Sequence, residues 1–402
     1  MCSGCDNRLV PLGTYISVPF CRTKCTYCNF ASGVFSKAAF GRYVEKTCAD
    51  IAAAEPLAAE MGGQFERFVD SIYLGGGTPT VLASDDLVRI FRAIDRTFEV
   101  SPEAEVTVEC APGTLTPELM NVLVRCGVNR VSLGMQSFVD EEARAVGRLH
   151  SREITLRDID TLRTASIDNI NLDLIAGLPH QTAESWTYSL DETIATGVPH
   201  VSVYMLEIDE DSRLGRELIA GGTKYHAHFV PDEDLMAELY VEAGRRLNQT
   251  GICQYEISNF ARTAYQSRHN LKYWTRQPYM GFGVDAHSML PAKAGSGFEA
   301  VRFSTPDSLD GFLAAEGFSR TTVSAGAALE EEFFLGLRLN RGVDVRSIGE
   351  RYRMPVTLNS AIADLTAWGL LVRDGDMLRL TDRGRLLSNE VFERFLNAPA
   401  RN

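Results

Sequence analysis

Short apolar runs rich in β-branched residues alternate with longer amphipathic stretches in the first half of the chain. The runs predict six strands, near residues 14–18, 71–74, 105–109, 130–133, 169–174 and 200–205. Apolar residues three and four positions apart predict helices between them, near residues 85–98, 117–126, 154–165 and 183–196. Strands that alternate with helices form right-handed βαβ units and a parallel sheet. The pattern therefore predicts an α/β fold, a partial (β/α)6 barrel rather than a closed barrel of eight strands.

The pattern changes in the second half of the chain. A helix predicted near residues 233–248 leads into an aromatic-rich, irregular stretch at 255–287. From about residue 305 the sequence predicts mainly helices and one short hairpin, which together resemble a winged helix. Few basic residues lie on the would-be recognition helix, so we favour a packing or lid domain over a DNA-binding one. We expect a tail, the barrel, an extension and a C-terminal mainly helical, winged-helix-like domain, at residues 1–13, 14–210, 211–304 and 305–402.

Composition and charge narrow the class of protein. The 402 residues carry a net charge of −13, with a pI near 5.1, which argues against general nucleic-acid binding. No apolar run approaches the ~20 residues that span a bilayer, and no basic-then-apolar signal peptide opens the sequence. We therefore expect a cytoplasmic protein. Nine cysteines in such a chain indicate metal or redox chemistry rather than a set of disulfides.

Three of these cysteines, Cys21, Cys25 and Cys28, form a C-x3-C-x2-C loop directly after the first predicted strand. A cubane iron–sulfur cluster usually has four thiolate ligands, so three leave one iron open to a small chelating molecule. S-adenosylmethionine binds such an iron through its amino and carboxylate groups and brings radical chemistry with it. A zinc loop or three buried thiols are the alternatives, but zinc prefers C-x2-C pairs and a fourth protein ligand. The loop therefore predicts a [4Fe-4S] cluster with S-adenosylmethionine.

Glycine-rich and polar positions follow the predicted strands. The sequence GGGTP at residues 75–79 lets backbone pass close to a ligand, although a glycine triplet alone is as compatible with a tight turn. Glu109 and Gln136 end the third and fourth strands, Asp173 lies near the end of the fifth, and Arg148 could pair with a carboxylate. The carboxyl ends of parallel strands lie at one edge of a sheet, so these side chains should converge on a ligand with amines and hydroxyls. Each residue alone is as compatible with a salt bridge or a cap; only the joint pattern favours a site.

An aromatic element, HNLKYW, spans residues 269–274. Histidine is a common axial ligand of haem iron, and neighbouring aromatic residues suit a flat macrocycle. The alternative is a surface loop whose aromatic side chains seal two domains together, and the residues alone favour that alternative. Cys2 and Cys5 form a further C-x2-C pair, which either binds metal or belongs to a disordered terminus.

Several of these motifs, in the same order, resemble those of the radical SAM HemN/HemW family. They are the cysteine loop, GGGTP, the strand that ends at Glu109, LGMQSF at 133–138, the Gly147-Arg148 pair, DLIAGLP at 173–179 and YEISNF at 255–260. The resemblance covers nearly the whole chain, including LTDRGRLLSNEVF at 380–392. It implies the same fold as the strand pattern, a partial radical SAM barrel.

Two features separate groups within this family. Oxygen-independent coproporphyrinogen III dehydrogenases carry a further cysteine two positions past the third cluster cysteine, and a long segment before the first strand. Phe30 occupies that position here, and the first strand is expected near Thr14. The H-N-x-x-Y-W element is similar to that of the HemW group. The resemblance therefore implies a haem chaperone, which binds haem and delivers it to haem-dependent proteins. Radical decarboxylation of coproporphyrinogen is the alternative, and HemN-like radical methylation is a second one.

The resemblance also implies roles for single residues. Cys21, Cys25 and Cys28 would bind the cluster, and His269 would bind haem iron. The expected contacts of S-adenosylmethionine are Tyr15, Tyr27, Gly76, Gly77, Thr78, Glu109, Gln136, Arg148 and Asp173. Expected partners are haem, haem-accepting proteins and an electron donor for the cluster, without nucleic acid and without a transmembrane segment. Contact with a membrane surface stays open.

Overall fold

A parallel sheet forms the core of the fold. The computed structural model describes residues 10–353 and 359–396, so Cys2 and Cys5 lie outside the described residues. The first six strands are neighbours in chain order, and all of them are parallel. They are β1 (Leu12–Val18), β2 (Phe68–Gly76), β3 (Glu99–Cys110), β4 (Arg130–Gln136), β5 (Asn169–Ala176) and β6 (His200–Met205). The predicted α/β fold with six parallel strands is confirmed, and within the described residues the sheet does not close into a barrel.

Six further strands extend this sheet at both edges. They are β7 (Cys253–Gln254), β8 (Asn259–Ala261), β9 (Tyr279–Gly283), β10 (His287–Pro291), β11 (Ala300–Ser304) and β12 (Ser319–Val323). The order is β12-β11-β10-β9-β1-β2-β3-β4-β5-β6-β8-β7, with β9 parallel to β1 and the other additions antiparallel. The sequence did not predict β8 and β9 within the stretch 255–287. They are short, and β9 is interrupted by Gly281 and Gly283, which weakens the strand signal.

Helices cover the sheet between the strands. They are α1 (Lys37–Ala52), α2 (Ala54–Met61), α3 (Ser84–Thr97), α4 (Pro117–Arg125), α5 (Asp140–Ala145), α6 (Arg152–Thr164), α7 (Ala183–Thr196), α8 (Arg213–Ala220), α9 (Glu233–Gln249), α10 (Arg268–Trp274) and α11 (Leu309–Leu313). In α3, the residues Leu87, Ile90, Phe91 and Ile94 are buried, which is the spacing of one helix face. In the parts of the chain that the structure describes, no helix is both long and apolar enough to cross a membrane.

The C-terminal region is mainly helical and has a core of its own. It contains α12 (Ala325–Gly336), β13 (Val343–Asp344), α13 (Val345–Tyr352), α14 (Asn359–Ala367), β14 (Leu371–Asp374), β15 (Met377–Leu380), α15 (Asp382–Leu386) and α16 (Ser388–Leu396). Its strands form a small antiparallel sheet in the order β13-β15-β14, and Phe333 stacks on Phe395 with ring centres 5.5 Å apart. The helical C-terminal region is confirmed, whereas the domain boundaries stay a prediction.

Candidate functional site

The cysteine loop connects β1 to α1, and backbone hydrogen bonds join its two ends. The backbone N–H of Cys21 donates to the carbonyl oxygen of Gly33 at 2.9 Å, and the N–H of Gly33 donates to Pro19 at 2.8 Å. All three cysteines of the loop are half-buried free thiols. Among the described residues, no three His, Cys, Asp or Glu side chains are placed to hold one metal ion.

The GGGTP segment, which begins in the last two residues of β2, packs against this loop. The N–H groups of Gly77 and Thr78 donate to the carbonyl oxygens of Val18 and Phe20, both at 2.7 Å. The hydroxyl of Thr78 lies 3.9 Å from the sulfur of Cys21. A Cβ atom at residue 77 would lie 2.6 Å from the Phe20 carbonyl oxygen, so only glycine permits this approach. The predicted neighbours Gly77, Thr78 and Cys21 are therefore brought together.

Arg148 contacts the other side of the loop. Its Nη2 atom donates to the hydroxyl of Tyr27 at 3.3 Å, and the hydroxyl of Thr23 donates to the carbonyl oxygen of Gly147 at 3.1 Å. Burial lowers the pKa of Arg148, but the interactions with Tyr27 and Cys25 outweigh burial and raise this pKa overall. Arg148 is therefore a fixed cation beside the cysteines. Its Nε atom is buried and has no hydrogen-bond partner among the described residues.

Two carboxylates lie near the carboxyl ends of β3 and β5: Glu109 is the last residue but one of β3, and Asp173 lies three residues before the end of β5. Glu109 accepts a hydrogen bond from the Tyr73 hydroxyl at 2.8 Å, and Asp173 accepts one from the Ser132 hydroxyl at 2.9 Å. Burial, and then the nearby charge of Asp173, raise the pKa of Glu109 from 4.5 to about 7. Burial also raises the pKa of Asp173. A bound cation or hydroxyl donor would favour the charged forms of both groups, which makes this edge suited to such a ligand.

Gln136 ends β4 in a strained backbone conformation. Its φ angle is 68°, in the left-handed region that residues other than glycine rarely adopt, and the pairing of β4 with β5 shifts register there. A Cβ atom at Gly134 would lie 3.3 Å from Nη2 of Arg148 and 3.4 Å from Nε2 of Gln136, so these two side chains converge above Gly134. The Oε1 atom of Gln136 is buried without a hydrogen-bond partner among the described residues. Two unpaired buried polar atoms at one place fit a polar ligand that would satisfy them.

Sequence reasoning missed the polar residues beneath this edge. The amide nitrogen of Asn171 lies within hydrogen-bond distance of the hydroxyls of Ser132 and Ser202 and donates to Asp173 at 2.7 Å. His200 contacts the amide oxygen of Asn171 at 2.6 Å. A signal was present, because Asn171 and Asp173 stand two positions apart in an apolar strand and therefore share a face. Together these groups hold Asp173 in place.

A cavity of about 290 Å³ lies next to the cysteine loop. Aromatic side chains form much of its wall, with Phe30 from the loop, Tyr15 from β1, Tyr273 from α10 and Tyr279 from β9. Its other lining residues are Ser17, Ala31, Gly76, Asp285 and His287. Tyr15 and Gly76 were predicted as site residues, whereas Tyr279, Asp285 and His287 were not. The cavity therefore joins elements from the sheet, the loop and the HNLKYW helix.

His269 lies behind this cavity rather than in its wall. Its ring is buried, with Nδ1 3.1 Å from the Ser71 hydroxyl and Nε2 2.8 Å from the Tyr273 hydroxyl. Burial, and then the charge of Lys272, lower the pKa of His269 to about 3, so the ring is neutral. In this conformation both ring nitrogens have partners, and His269 supports Tyr273. Its role as an iron ligand stays a prediction.

Strong contacts fix α10 between the sheet and the C-terminal region. The carboxylate of Glu105 on β3 accepts hydrogen bonds from the first N–H groups of α10, including that of His269 at 3.1 Å. The guanidinium of Arg338 lies 4.2 Å from the ring centre of Trp274. The half-buried Glu331 of α12 pairs with Arg276 at 2.6 Å. The helix therefore joins both parts of the molecule as well as forming a wall of the cavity.

A cysteine loop supported by glycine, at the carboxyl end of six parallel strands, defines a radical SAM protein. Residues 15–192 match the model of the Radical SAM superfamily, and residues 323–387 match that of the HemN C-terminal domain. The solved structure of coproporphyrinogen III oxidase (HemN) from Escherichia coli, a radical SAM enzyme, superposes with a TM-score of 0.81 at 22% identity. The superposition covers 96% of this chain and 90% of that one, which shows the fold.

Curated relatives show which radical SAM family this is. The heme chaperone HemW of Bacillus subtilis is 32% identical over 388 residues, which cover 95% of this chain and 98% of the relative. The heme chaperone HemW of Lactococcus lactis is 31% identical and covers 96% and 97%, and that of Escherichia coli is 29% identical and covers 97% and 99%. The chain belongs to the HemN/HemW family.

Proposed function

We propose that this chain is a haem chaperone, which binds haem and delivers it to haem-dependent proteins of the cytoplasm. One observation carries the proposal: an aromatic cavity borders both the cysteine loop, through Phe30, and the HNLKYW helix, through Tyr273. Aromatic walls suit a flat macrocycle. The relatives described as heme chaperone HemW support the same function.

We further propose that Cys21, Cys25 and Cys28 hold a [4Fe-4S] cluster and that S-adenosylmethionine binds beside it. When bound, the two groups supply one-electron chemistry and a deoxyadenosyl radical. Arg148 is suited to pair with the carboxylate of S-adenosylmethionine, because it is cationic and its Nε atom lacks a partner among the described residues.

The remaining predicted contacts divide by chemistry. The backbone of Gly76, Gly77 and Thr78 can hold the methionyl amine beside the cysteine loop. Glu109 and Asp173 can accept hydrogen bonds from ribose hydroxyls, as carboxylates do in dinucleotide sites. An electron donor for the cluster and a haem-accepting protein are the partners that this function requires.

A haem titration of the full-length protein tests the proposal, followed by absorbance with and without reconstituted cluster. We expect saturable binding in the wild type and weaker binding in His269→Ala, because loss of the imidazole removes the partner of Tyr273. His228→Ala, an exposed histidine outside the cavity, is the matched control. Absence of saturable binding would refute the chaperone function. Formation of protoporphyrinogen from coproporphyrinogen under anaerobic conditions would favour the dehydrogenase alternative instead.

A further inference from the structure

The carboxylate of Glu109 lies beside a tyrosine on the neighbouring strand. The hydroxyl of Tyr73 on β2 donates a hydrogen bond to Oε1 of Glu109 at 2.8 Å. β2 and β3 pair in parallel with Tyr73 opposite Thr107, and Gly75 and Glu109 each follow two residues further along. Residues two positions apart point to the same face of a strand, so Tyr73, Gly75 and Glu109 share one face of the sheet.

Glycine at residue 75 leaves room for this contact. A Cβ atom there would lie 2.8 Å from Cε1 of Tyr73 and 2.9 Å from both Cδ and Oε1 of Glu109. An added side chain would therefore push apart the two groups that form the hydrogen bond. The first glycine of GGGTP thus has a different role from Gly77, whose close neighbours belong to the cysteine loop and to the end of β1.

Aromatic neighbours hold the ring of Tyr73 in place. Its centre lies 5.9 Å from that of Tyr15 on β1 and 5.3 Å from that of His269 on α10. Tyr15 is also the residue paired with Tyr73 across the two strands. Rotation of a tyrosine ring about its own axis does not move the hydroxyl oxygen, so a ring packed in this way keeps its hydroxyl at one place.

The hydrogen bond also favours the charged form of Glu109. Burial, and then the charge of Asp173, raise the pKa of Glu109 to about 7, whereas the hydrogen bond from Tyr73 acts in the opposite direction. An ionised carboxylate only accepts hydrogen bonds, and its two oxygens together can accept several. The bond with Tyr73 therefore leaves the carboxylate able to accept further hydrogen bonds from a ligand.

We infer that Tyr73 is a positioning residue of the S-adenosylmethionine site: its hydroxyl holds the Glu109 carboxylate, in the space that Gly75 leaves, to accept from the ribose hydroxyls. This role rests on the proposed binding of S-adenosylmethionine and deepens it, because it names the part of the ligand that Glu109 recognises. A ligand without ribose hydroxyls has nothing to donate to this carboxylate and gains nothing from Tyr73.

Equilibrium binding to the full-length protein with reconstituted cluster tests this role with two ligands, S-adenosylmethionine and an analogue that lacks both ribose hydroxyls. We expect Tyr73→Phe to weaken binding of S-adenosylmethionine by roughly tenfold, the scale of one hydrogen bond to a charged group, and to leave binding of the analogue unchanged. In a Glu109→Ala background, Tyr73→Phe should have no further effect, because it acts through that carboxylate. Tyr240→Phe is the matched control: it removes a hydroxyl that donates to the carbonyl oxygen of Ile257, and both affinities should match the wild type.

Each outcome of these measurements has a separate meaning. If the wild type and Tyr73→Phe bind S-adenosylmethionine equally well, Tyr73 has no positioning role, while the proposed binding of S-adenosylmethionine stands. An equal loss of affinity for both ligands would also overturn this role, because Tyr73 would then act on the fold rather than on recognition of the ribose. If the wild type binds no S-adenosylmethionine, the proposed cofactor fails together with the role of Tyr73. Thermal unfolding should shift by similar amounts in Tyr73→Phe and Tyr240→Phe, since each variant loses a hydroxyl that donates within the fold.

Discussion

Replacing Gly77 by alanine tests the contact between the GGGTP segment and the cysteine loop. The new Cβ atom would lie 2.6 Å from the carbonyl oxygen of Phe20, 2.9 Å from that of Val18 and 3.0 Å from Sγ of Cys21. Two of these three atoms belong to the backbone, which cannot rotate away as a side chain could. The loop must therefore move, and Cys21 moves with it.

The size of the effect follows from these distances. Overpacking of this kind costs about 1–3 kcal/mol. The same movement stretches the hydrogen bonds from the N–H groups of Gly77 and Thr78 to the loop, and each such bond contributes about 1 kcal/mol. Stretching rather than breaking these two bonds loses about half of their contribution, about 1 kcal/mol together. We therefore expect the free energy of unfolding to fall by about 2–4 kcal/mol in Gly77→Ala.

The assay is anaerobic reconstitution with iron and sulfide, followed by chemical analysis of both and by electron paramagnetic resonance of the reduced sample. Gly77→Ala should retain less iron and sulfide per chain than the wild type, because Cys21 is displaced. Gly41→Ala is the matched control: it lies in α1, nothing is within 4 Å of its new Cβ atom, and it should gain about 1 kcal/mol of helix stability. Equal iron and sulfide in the two variants, with the same spectrum, would refute the argument that this contact positions Cys21.

The carboxylates of Glu109 and Glu331 give further predictions, both about the stability of the fold. The pKa of Glu109 is raised from 4.5 to about 7, so its ionised form is unfavourable in the folded protein, and wild-type stability should fall as pH rises through this range. Glu109→Gln should remove that fall, so above pH 7 the free energies of unfolding of variant and wild type should differ by at most about 3 kcal/mol. Chemical unfolding of the cofactor-free protein at several pH values measures this difference. The prediction is wrong if the two proteins show parallel curves of stability against pH. Glu331→Gln leaves the half-buried Arg276 and Arg302 without their shared charge partner. It should cost about 1–3 kcal/mol, less than a fully buried pair, and this should be seen as faster proteolysis after α10. Glu350→Gln, in an exposed pair, should cost at most about 1 kcal/mol, and equal proteolysis of the two variants would count against the Glu331 pair.

The sheet and the polar edge were predictable because both depend on local periodicity. Glu109, Gln136 and Asp173 lie at or near the carboxyl ends of apolar strands, and neighbouring parallel strands have their carboxyl ends at the same edge of the sheet. The sequence also predicted a ligand-binding or turn role for the glycines at 75–77. It did not predict the close contact with the cysteine loop that requires glycine at residue 77. That contact is between residues far apart in the chain, and its distance depends on how β1 and β2 are paired.

The surroundings of other site residues could not be predicted, because they depend on contacts between residues that are far apart in the chain. The environment of His269 depends on the hydroxyl of Ser71, which lies 198 residues earlier, and on burial by the surrounding sheet. HNLKYW therefore indicated an aromatic element but not that its histidine would lie behind the cavity wall. His287 was not predicted for a similar reason, because its place in the cavity lining depends on the pairing of β10 with β9 and of β9 with β1. The strained backbone of Gln136 has no sequence signal, since glycine or asparagine would be expected there.

The pairing of β1 with β9 determines when a newly made chain can complete its sheet. β1 leaves the ribosome before the other strands that the structure describes, yet one of its edges has no partner until residues 279–283 have been synthesised. Most of β1 is buried in the finished fold, so during translation it is an apolar strand with an open edge, which is the kind of segment that pairs with other chains. Any pause in translating the intervening stretch lengthens the period in which that edge can capture another nascent chain.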